Sequence, residues 1–159
     1  MSWVKIDSTT LESAAASVTF SSGLSGYKFF RLTVYAVDDT GNLTAITLNG
    51  DTGTKYDKQR ITAVGTSVNG SRDTGDSNAS TSQSISTYAS SQWLIAKPSA
   101  SVKAQITSYG GAASGSSINL GLYGYEWDNT TDAITSIEVF ATSGSIGAGT
   151  SVLLEGLAF

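Results

Sequence analysis

The sequence predicts an all-β fold: a two-sheet antiparallel β-sandwich, jelly-roll-like, with about eight principal strands. Three observations lead there. Apolar residues recur at every second position in run after run, the signature of strands with one buried face. The 159 residues include 26 Ser, 20 Thr and 17 Gly against a single Pro; hydroxyl residues and glycine compete with or weaken a helical backbone, while threonine suits a strand. No stretch has a 3.6-residue period long enough for a helix, beyond one turn around 11–16.

In chain order, 3–6 reads as a short edge strand around Trp3. In 17–20, Val18 and Phe20 share a face, and Ser21-Ser-Gly-Leu-Ser-Gly26 turns the chain. Residues 28–38 form the clearest run, with Phe30, Leu32, Val34 and Ala36 assigned to the core and Phe29, Arg31, Thr33 and Tyr35 to the opposite face. A turn of Asp and Gly at 38–42 then leads to 43–48 as the hairpin partner, and Asn49-Gly50 is a second strong turn dipeptide. The polar run 54–64, anchored by Tyr56 and Ile61, carries charges of the kind that protect an edge strand. Residues 69–84 are almost entirely Gly, Ser, Asn, Asp and Thr and read as a long polar loop, unable to form its own core and suited to ordering along a neighbour. Strands at 92–97 and 101–107 flank Pro98, and 110–117 reads as a flexible Gly/Ser connection. A strand at 118–127 follows, and 133–141 with 150–157 form a closing hairpin. Strand number and spacing favour a jelly roll over an immunoglobulin-like sandwich. Residues 1–159 read as one domain, long enough to bury a core without disulfide or metal staples.

Composition removes several function classes. With no Cys and no His there is no disulfide framework, thiol nucleophile, Cys/His zinc site or Ser-His-Asp triad. A net charge of −4 with nine scattered basic residues argues against nucleic acid, which is held by clustered Lys and Arg. No run approaches the ~18 apolar residues of a membrane span. The N-terminal Met1-Ser-Trp-Val-Lys-Ile-Asp7 lacks the charged and apolar regions of a secretory signal, so synthesis in a cytoplasm without signal-directed export is expected. Only 14% of residues are charged, which leaves a weakly hydrated, hydroxyl-rich surface prone to association.

The run Ile118-Asn-Leu-Gly-Leu-Tyr-Gly-Tyr-Glu-Trp127 is the richest constellation. Alternation sends Ile118, Leu120 and Leu122 to one face and Tyr123, Tyr125 and Trp127 to the other. The aromatic face either packs across the second sheet or is offered to a partner subunit or a sugar ring. Trp3, Arg72, Tyr123, Tyr125 and Trp127 are the candidate interface or glycan contacts, with the Trp93 region as another stacking platform. Asp38, Asp39, Asp51, Asp73 and Asp76 fall in expected loops and read as turn formers, since none has the spacing of a calcium loop. Asn49-Gly-Asp-Thr-Gly53 lacks the Lys and following helix of a phosphate loop. Glu126 and Glu138 are the one carboxylate pair considered for glycoside hydrolysis, on the premise of adjacent strands. No catalytic, cofactor-binding or metal-binding residue is assigned.

Trp3, Ser17-Val-Thr-Phe20, Gly26-Tyr-Lys-Phe-Phe-Arg-Leu32, Leu48-Asn-Gly-Asp-Thr-Gly53 with Tyr56, Ala133-Ile-Thr-Ser-Ile137, Gly147-Ala-Gly-Thr150 and Leu154-Glu-Gly-Leu157 form a pattern that resembles small jelly-roll structural proteins of tailed bacteriophages. These serve as capsid decoration (cement) proteins or tail-associated modules. The resemblance spans about 3–62 and 118–157 and rests on turn and core signatures. It implies a non-enzymatic virion protein, most naturally a decoration protein that binds and stabilises the assembled head. Its implied partners are the major capsid protein and copies of itself, as a homo-oligomer without cofactor, nucleic acid or membrane. The alternative is a carbohydrate-binding module of a tail fibre or adhesin, with a surface glycan as partner.

Overall fold

Among the described residues twelve strands, every neighbouring pair antiparallel, stack as two sheets. The computed structural model describes residues 2–37, 43–81, 88–114 and 117–158. The strands are β1 (Ser2–Thr10), β2 (Ser17–Phe20), β3 (Phe29–Val37), β4 (Thr44–Leu48), β5 (Tyr56–Val64), β6 (Ser67–Asp76), β7 (Ala79–Ser80), β8 (Tyr88–Ala96), β9 (Ala104–Ser114), β10 (Ser117–Trp127), β11 (Ile137–Ala141) and β12 (Ser151–Ala158). The larger sheet has eight strands in the order β1-β12-β3-β8-β9-β10-β5-β6, and the smaller has four, β2-β11-β4-β7. The chain is thus the all-β, two-sheet antiparallel sandwich the sequence predicts.

The core lies between the sheets, and period-two alternation sets it. On β3, Phe30, Leu32, Val34 and Ala36 are buried as expected. They face Val18 and Phe20 of β2, Ile46 and Leu48 of β4, and Ile137 and Val139 of β11 in one cluster, which also takes in Trp93, Ile95, Ile106 and Leu154 from the larger sheet. At ~4.8 Å per strand, four strands cover only about half the width of eight. One face of the larger sheet is therefore partly covered, and among the described residues no strand covers its opposite face.

Several expectations about connectivity are corrected. Residues 44–48 do not return beside β3: β4 belongs to the smaller sheet, between β11 and β7, while β3 lies between β12 and β8. The turn expected at 38–42 lies outside the described residues. The closing segments are not a hairpin either, since β11 pairs in the smaller sheet and β12 sits between β1 and β3. β5 is interior rather than an edge, flanked by β10 and β6. Most of the long polar loop is strand: β6 forms the sheet edge, held by its ladder to β5 and by Lys58 Nζ, 3.3 Å from Asp73 and 2.6 Å from Asp76. Residues 82–84 of that segment lie outside the described residues. Gly110 and Gly111 belong to β9 rather than a flexible link, because a Cβ at Gly110 would sit 2.9 Å from Ser91 Oγ and 3.2 Å from the Ser90 carbonyl. Residues 115–116 of that link lie outside the described residues. The turn of helix at 11–16 is absent; Ala15 forms a bridge with Ile146, and Leu11 N–H donates to the Thr150 carbonyl at 2.9 Å. The ten runs marked in the sequence, about eight principal strands and one or two short ones, are all strands; β6 and β7 are added among the described residues and β8 and β9 are longer than expected, because these stretches lack the apolar alternation that marks a strand in sequence.

Asn49-Gly50 is a turn as expected, with φ of 55° and 64° and Asp51 N–H donating to the Leu48 carbonyl at 3.0 Å. It joins the two sheets rather than two paired strands. Asn49 Oδ1 accepts from the Thr135 and Ser136 amides, and its Nδ2 donates to the Ala133 carbonyl. Asp51 Oδ1 accepts from Gly53 N–H, while Oδ2 accepts from Trp127 Nε1 at 2.9 Å.

Two phenols cross the interior. Tyr56 Oη of β5 accepts the Leu48 N–H of β4 at 2.9 Å, and the Tyr125 hydroxyl of β10 donates to the Ser80 carbonyl of β7. Burial pushes both phenols above their ordinary pKa, so both stay protonated. Tyr56→Phe and Tyr125→Phe each leave a buried backbone group unpaired, and each should cost about 1–3 kcal/mol in urea unfolding. Tyr109→Phe, at an exposed phenol bonded to Gln92, should change stability by less than ~0.5 kcal/mol; equal losses in all three variants would refute this role for the inner phenols.

Burial pushes the Asp51 carboxyl up, but the Trp127 indole, the Gly53 amide and the Lys55 charge hold it below its ordinary value. A depressed folded-state pKa stabilises the fold above the unfolded value and is lost as pH falls through the folded one. Between about pH 5 and pH 2, the unfolding free energy of Asp51→Asn should therefore fall less steeply than that of the native chain. Parallel curves in denaturant titrations at each pH would show that this carboxylate contributes nothing.

Candidate functional site

The feature that stands out is the outer, uncovered face of the eight-stranded sheet. Its composition follows from strand register. On β10, Tyr123, Tyr125 and Trp127 point inward and are 1%, 2% and 0% exposed. A period of two then turns Ile118, Leu120 and Leu122 outward. Their register partners share that face: Leu122 lies between Tyr109 of β9 and Ile61 of β5, and Leu120 between Gly111 and Ala63. Val68 of β6 stands beside Ala63. On β3 and β8, Tyr35 and Tyr88 stack at 5.8 Å on the same face. Tyr35, Tyr88, Tyr109, Ile61, Val68, Ile118, Leu120 and Leu122 are 47–76% exposed.

Along the strands the character of this face changes. Gly124 of β10, whose absent Cβ would meet nothing within 4 Å, lies between Thr107 of β9 and Gln59 of β5, and Arg72 of β6 follows Gln59. The missing side chain opens a groove of about 410 Å³, lined also by Asp57, Gln105 and Glu126. A second depression of about 220 Å³ is lined by Trp3, Phe29, Leu94 and Leu157 and shares Gln105 and Thr107 with the first. The outer face is therefore apolar at one end of the strands and grooved at the other.

Most charges around the groove are fixed by partners. Arg31 forks onto Glu155, Nε to Oε2 at 2.6 Å and Nη2 to Oε1 at 2.8 Å, and its guanidinium lies 4.8 Å from the Trp3 ring. Hydrogen bonding to Arg31 holds the Glu155 carboxyl below its ordinary value despite burial. Glu126 accepts from Lys103 Nζ at 2.7 Å and Gln105 Nε2 at 3.0 Å, and these bonds lower its pKa. The Arg72 guanidinium has no ion pair or hydrogen bond among the described residues.

Of the five candidate contacts, Trp3 and Arg72 reach this face, near opposite ends of the groove. Tyr123, Tyr125 and Trp127 do not: they are core side chains, and Trp93 is likewise fully buried, so none of the four is a stacking platform. The cause is space, since Trp127 lies between the small Ala104 and Tyr56 in register, and the Tyr123 ring fills the room above Gly121, 2.5 Å from where a Cβ would stand. Glu126 and Glu138 belong to different sheets rather than adjacent strands, and Glu138 accepts from Thr47 Oγ1. Asp51 forms a turn as expected, whereas Asp73 and Asp76 are strand residues paired with Lys58; Asp38 and Asp39 lie outside the described residues. No group of three or more Asp or Glu side chains gathers as a cation site among the described residues. Sequence reasoning missed Tyr109, Ile61, Val68 and Gly124, although one signal was present: 118–127 is apolar on both parities, as in a strand covered on both faces.

No protein-family model matches the chain, and no curated protein matches it in sequence. Among solved structures the chain is similar to an exo-inulinase from Aspergillus awamori, with a TM-score of 0.54 and 14% identity over 97% of this chain. The chain spans 29% of that protein's length, and the likeness is one of fold.

Proposed function

We propose that the chain is a non-enzymatic virion structural protein, a capsid decoration (cement) protein that binds the assembled head and further copies of itself. One observation carries this reading: the apolar end of the uncovered sheet face, where eight large side chains stand 47–76% exposed. Monomeric soluble proteins rarely expose contiguous apolar patches beyond a few hundred Å². Side chains of this number and exposure present on the order of 600–800 Å², close to one partner's share of a standard interface. The charged groups of the sheet lie elsewhere, in the groove, along the β1-β12 side and on the inner side of β5 and β6, where Lys58 meets Asp73 and Asp76. An apolar patch bordered by polar groups resembles the core and rim of an interface. On a lattice of repeated sites, many symmetric copies convert modest single-site affinity into firm attachment.

Purified chain mixed with undecorated capsids should sediment with them at saturable stoichiometry. Leu122→Lys combined with Ile61→Glu should weaken that binding at least tenfold while leaving the unfolding midpoint near that of the native chain, because both positions face solvent and the two new charges, register partners in the β10-β5 ladder, are of opposite sign. Native chain that stays in the supernatant would refute head binding, and an unaffected double variant would refute the role of this face.

A further inference from the structure

The grooved end of the outer face has a chemistry distinct from the apolar end, and we propose that it binds a neutral oligosaccharide laid across the strands, from Trp3 and Phe29 to Arg72. The two depressions lie side by side, with Gln105 and Thr107 of β9 as their common border. Together, from Trp3 of β1 to Arg72 of β6, they span the sheet order β1-β12-β3-β8-β9-β10-β5-β6, seven strand spacings or about 34 Å, the length of a chain of sugars rather than of one ring.

The strands under the trough favour this ligand over a peptide. Each strand from β3 to β5 is paired on both sides, so an incoming peptide finds no free backbone edge there and cannot add as a strand. Recognition falls to side chains, and these suit vicinal hydroxyls. Gln59 and Gln105 each spend one amide hydrogen inside the protein, on the Ser71 carbonyl and on Glu126, and keep a second hydrogen and the amide oxygen for a ligand; Glu126 offers the remaining lone pairs of a carboxylate held by Lys103 and Gln105, and Arg72 offers a guanidinium with no protein partner among the described residues. At the far end the Trp3 ring, fixed by Arg31, stands with Phe29 and Leu94 as an apolar strip for the C–H face of a ring. Asp57 and Glu126 stand opposite Arg72, a mixed lining that disfavours a polyanion.

The floor supplies a clean test. Gly124 is extended strand with open space before it, so Gly124→Val fills the trough without a clash and suits the strand. Isothermal titration calorimetry of the native chain against neutral hexasaccharides (α- and β-linked glucans, mannan, galactan, xylan and fructan) should give saturable binding to at least one. Its affinity should fall at least tenfold in Gly124→Val and in Arg72→Ala, with unchanged thermal midpoints, and persist in Leu122→Asp, which alters only the apolar end. The proposal is overturned if no oligosaccharide binds at millimolar concentration, if both groove variants bind as tightly as the native chain, or if an extended peptide or a uronate oligomer outcompetes every neutral sugar. Because capsid sedimentation reads the apolar end and calorimetry the grooved end, the two proposals fail independently.

Discussion

Three aromatic side chains on two neighbouring strands govern much of the rest. Trp127 and Tyr56 are register partners, and Tyr125 lies two residues back along β10. Each buries its ring in the core and places its one polar atom on a backbone or turn group: Tyr56 on the Leu48 amide, Tyr125 on the Ser80 carbonyl, Trp127 on the Asp51 carboxylate. These bonds tie β4, β7 and the 48–51 turn to the larger sheet, and moving any ring outward would strand its partner without water. Inward placement of this set forces Ile118, Leu120 and Leu122 outward, because a strand has no third option. The exposed apolar surface is thus a consequence of how the interior is closed.

Hydroxyl groups complete that closure where the chain changes sheets. Thr150 Oγ1 accepts from the Val37 amide and donates to its carbonyl, and Thr81 Oγ1 donates to the Thr44 carbonyl. Thr44, Thr47, Thr81 and Thr150 are all buried. Such short side chains satisfy the backbone at crossings where the ladder stops, at less entropic cost than a long amide or charged group. At the end of the core, Lys97 does similar work: its buried ammonium donates to the Val102 and Asn129 carbonyls at 2.6 Å each, over the Trp127 ring at 5.1 Å. Burial lowers its pKa, and the charge of Asp132 offsets part of that.

The fold class was legible because alternation is local: Phe30 to Ala36 and Ile118 to Trp127 declare their two faces within a few residues. Strand partners were not legible. Turn chemistry at 49–50 marks a reversal but does not say whether the next strand lies beside its predecessor or in the opposite sheet, and among the described residues this chain crosses between sheets at 10–17, 20–29, 48–56, 76–79, 127–137 and 141–151. β6 was hidden for a different reason. Its one large apolar residue is Val68, and it is held by backbone pairing and by Lys58, which lies outside its own sequence. At the candidate site, Trp3 and Arg72 were singled out as residues, yet their placement on one face depends on an eight-strand order no local pattern encodes. Gly124 was invisible because its contribution is the side chain it lacks.

Both outermost ladders of the larger sheet are irregular, with register shifts between Lys5 and Asp7 in the β1-β12 pair and between Tyr56 and Lys58 in the β5-β6 pair. Bulges twist an edge away from flat pairing, and Lys5 on β1 and Arg72 and Asp73 on β6 add charge there. Growth by edge pairing is head-to-tail and has no natural end, whereas two copies meeting face to face about a twofold axis close at two. Irregular, charged edges therefore disfavour open-ended edge pairing of this hydroxyl-rich, sparsely charged chain, and they leave its exposed apolar face as the other surface through which copies could meet.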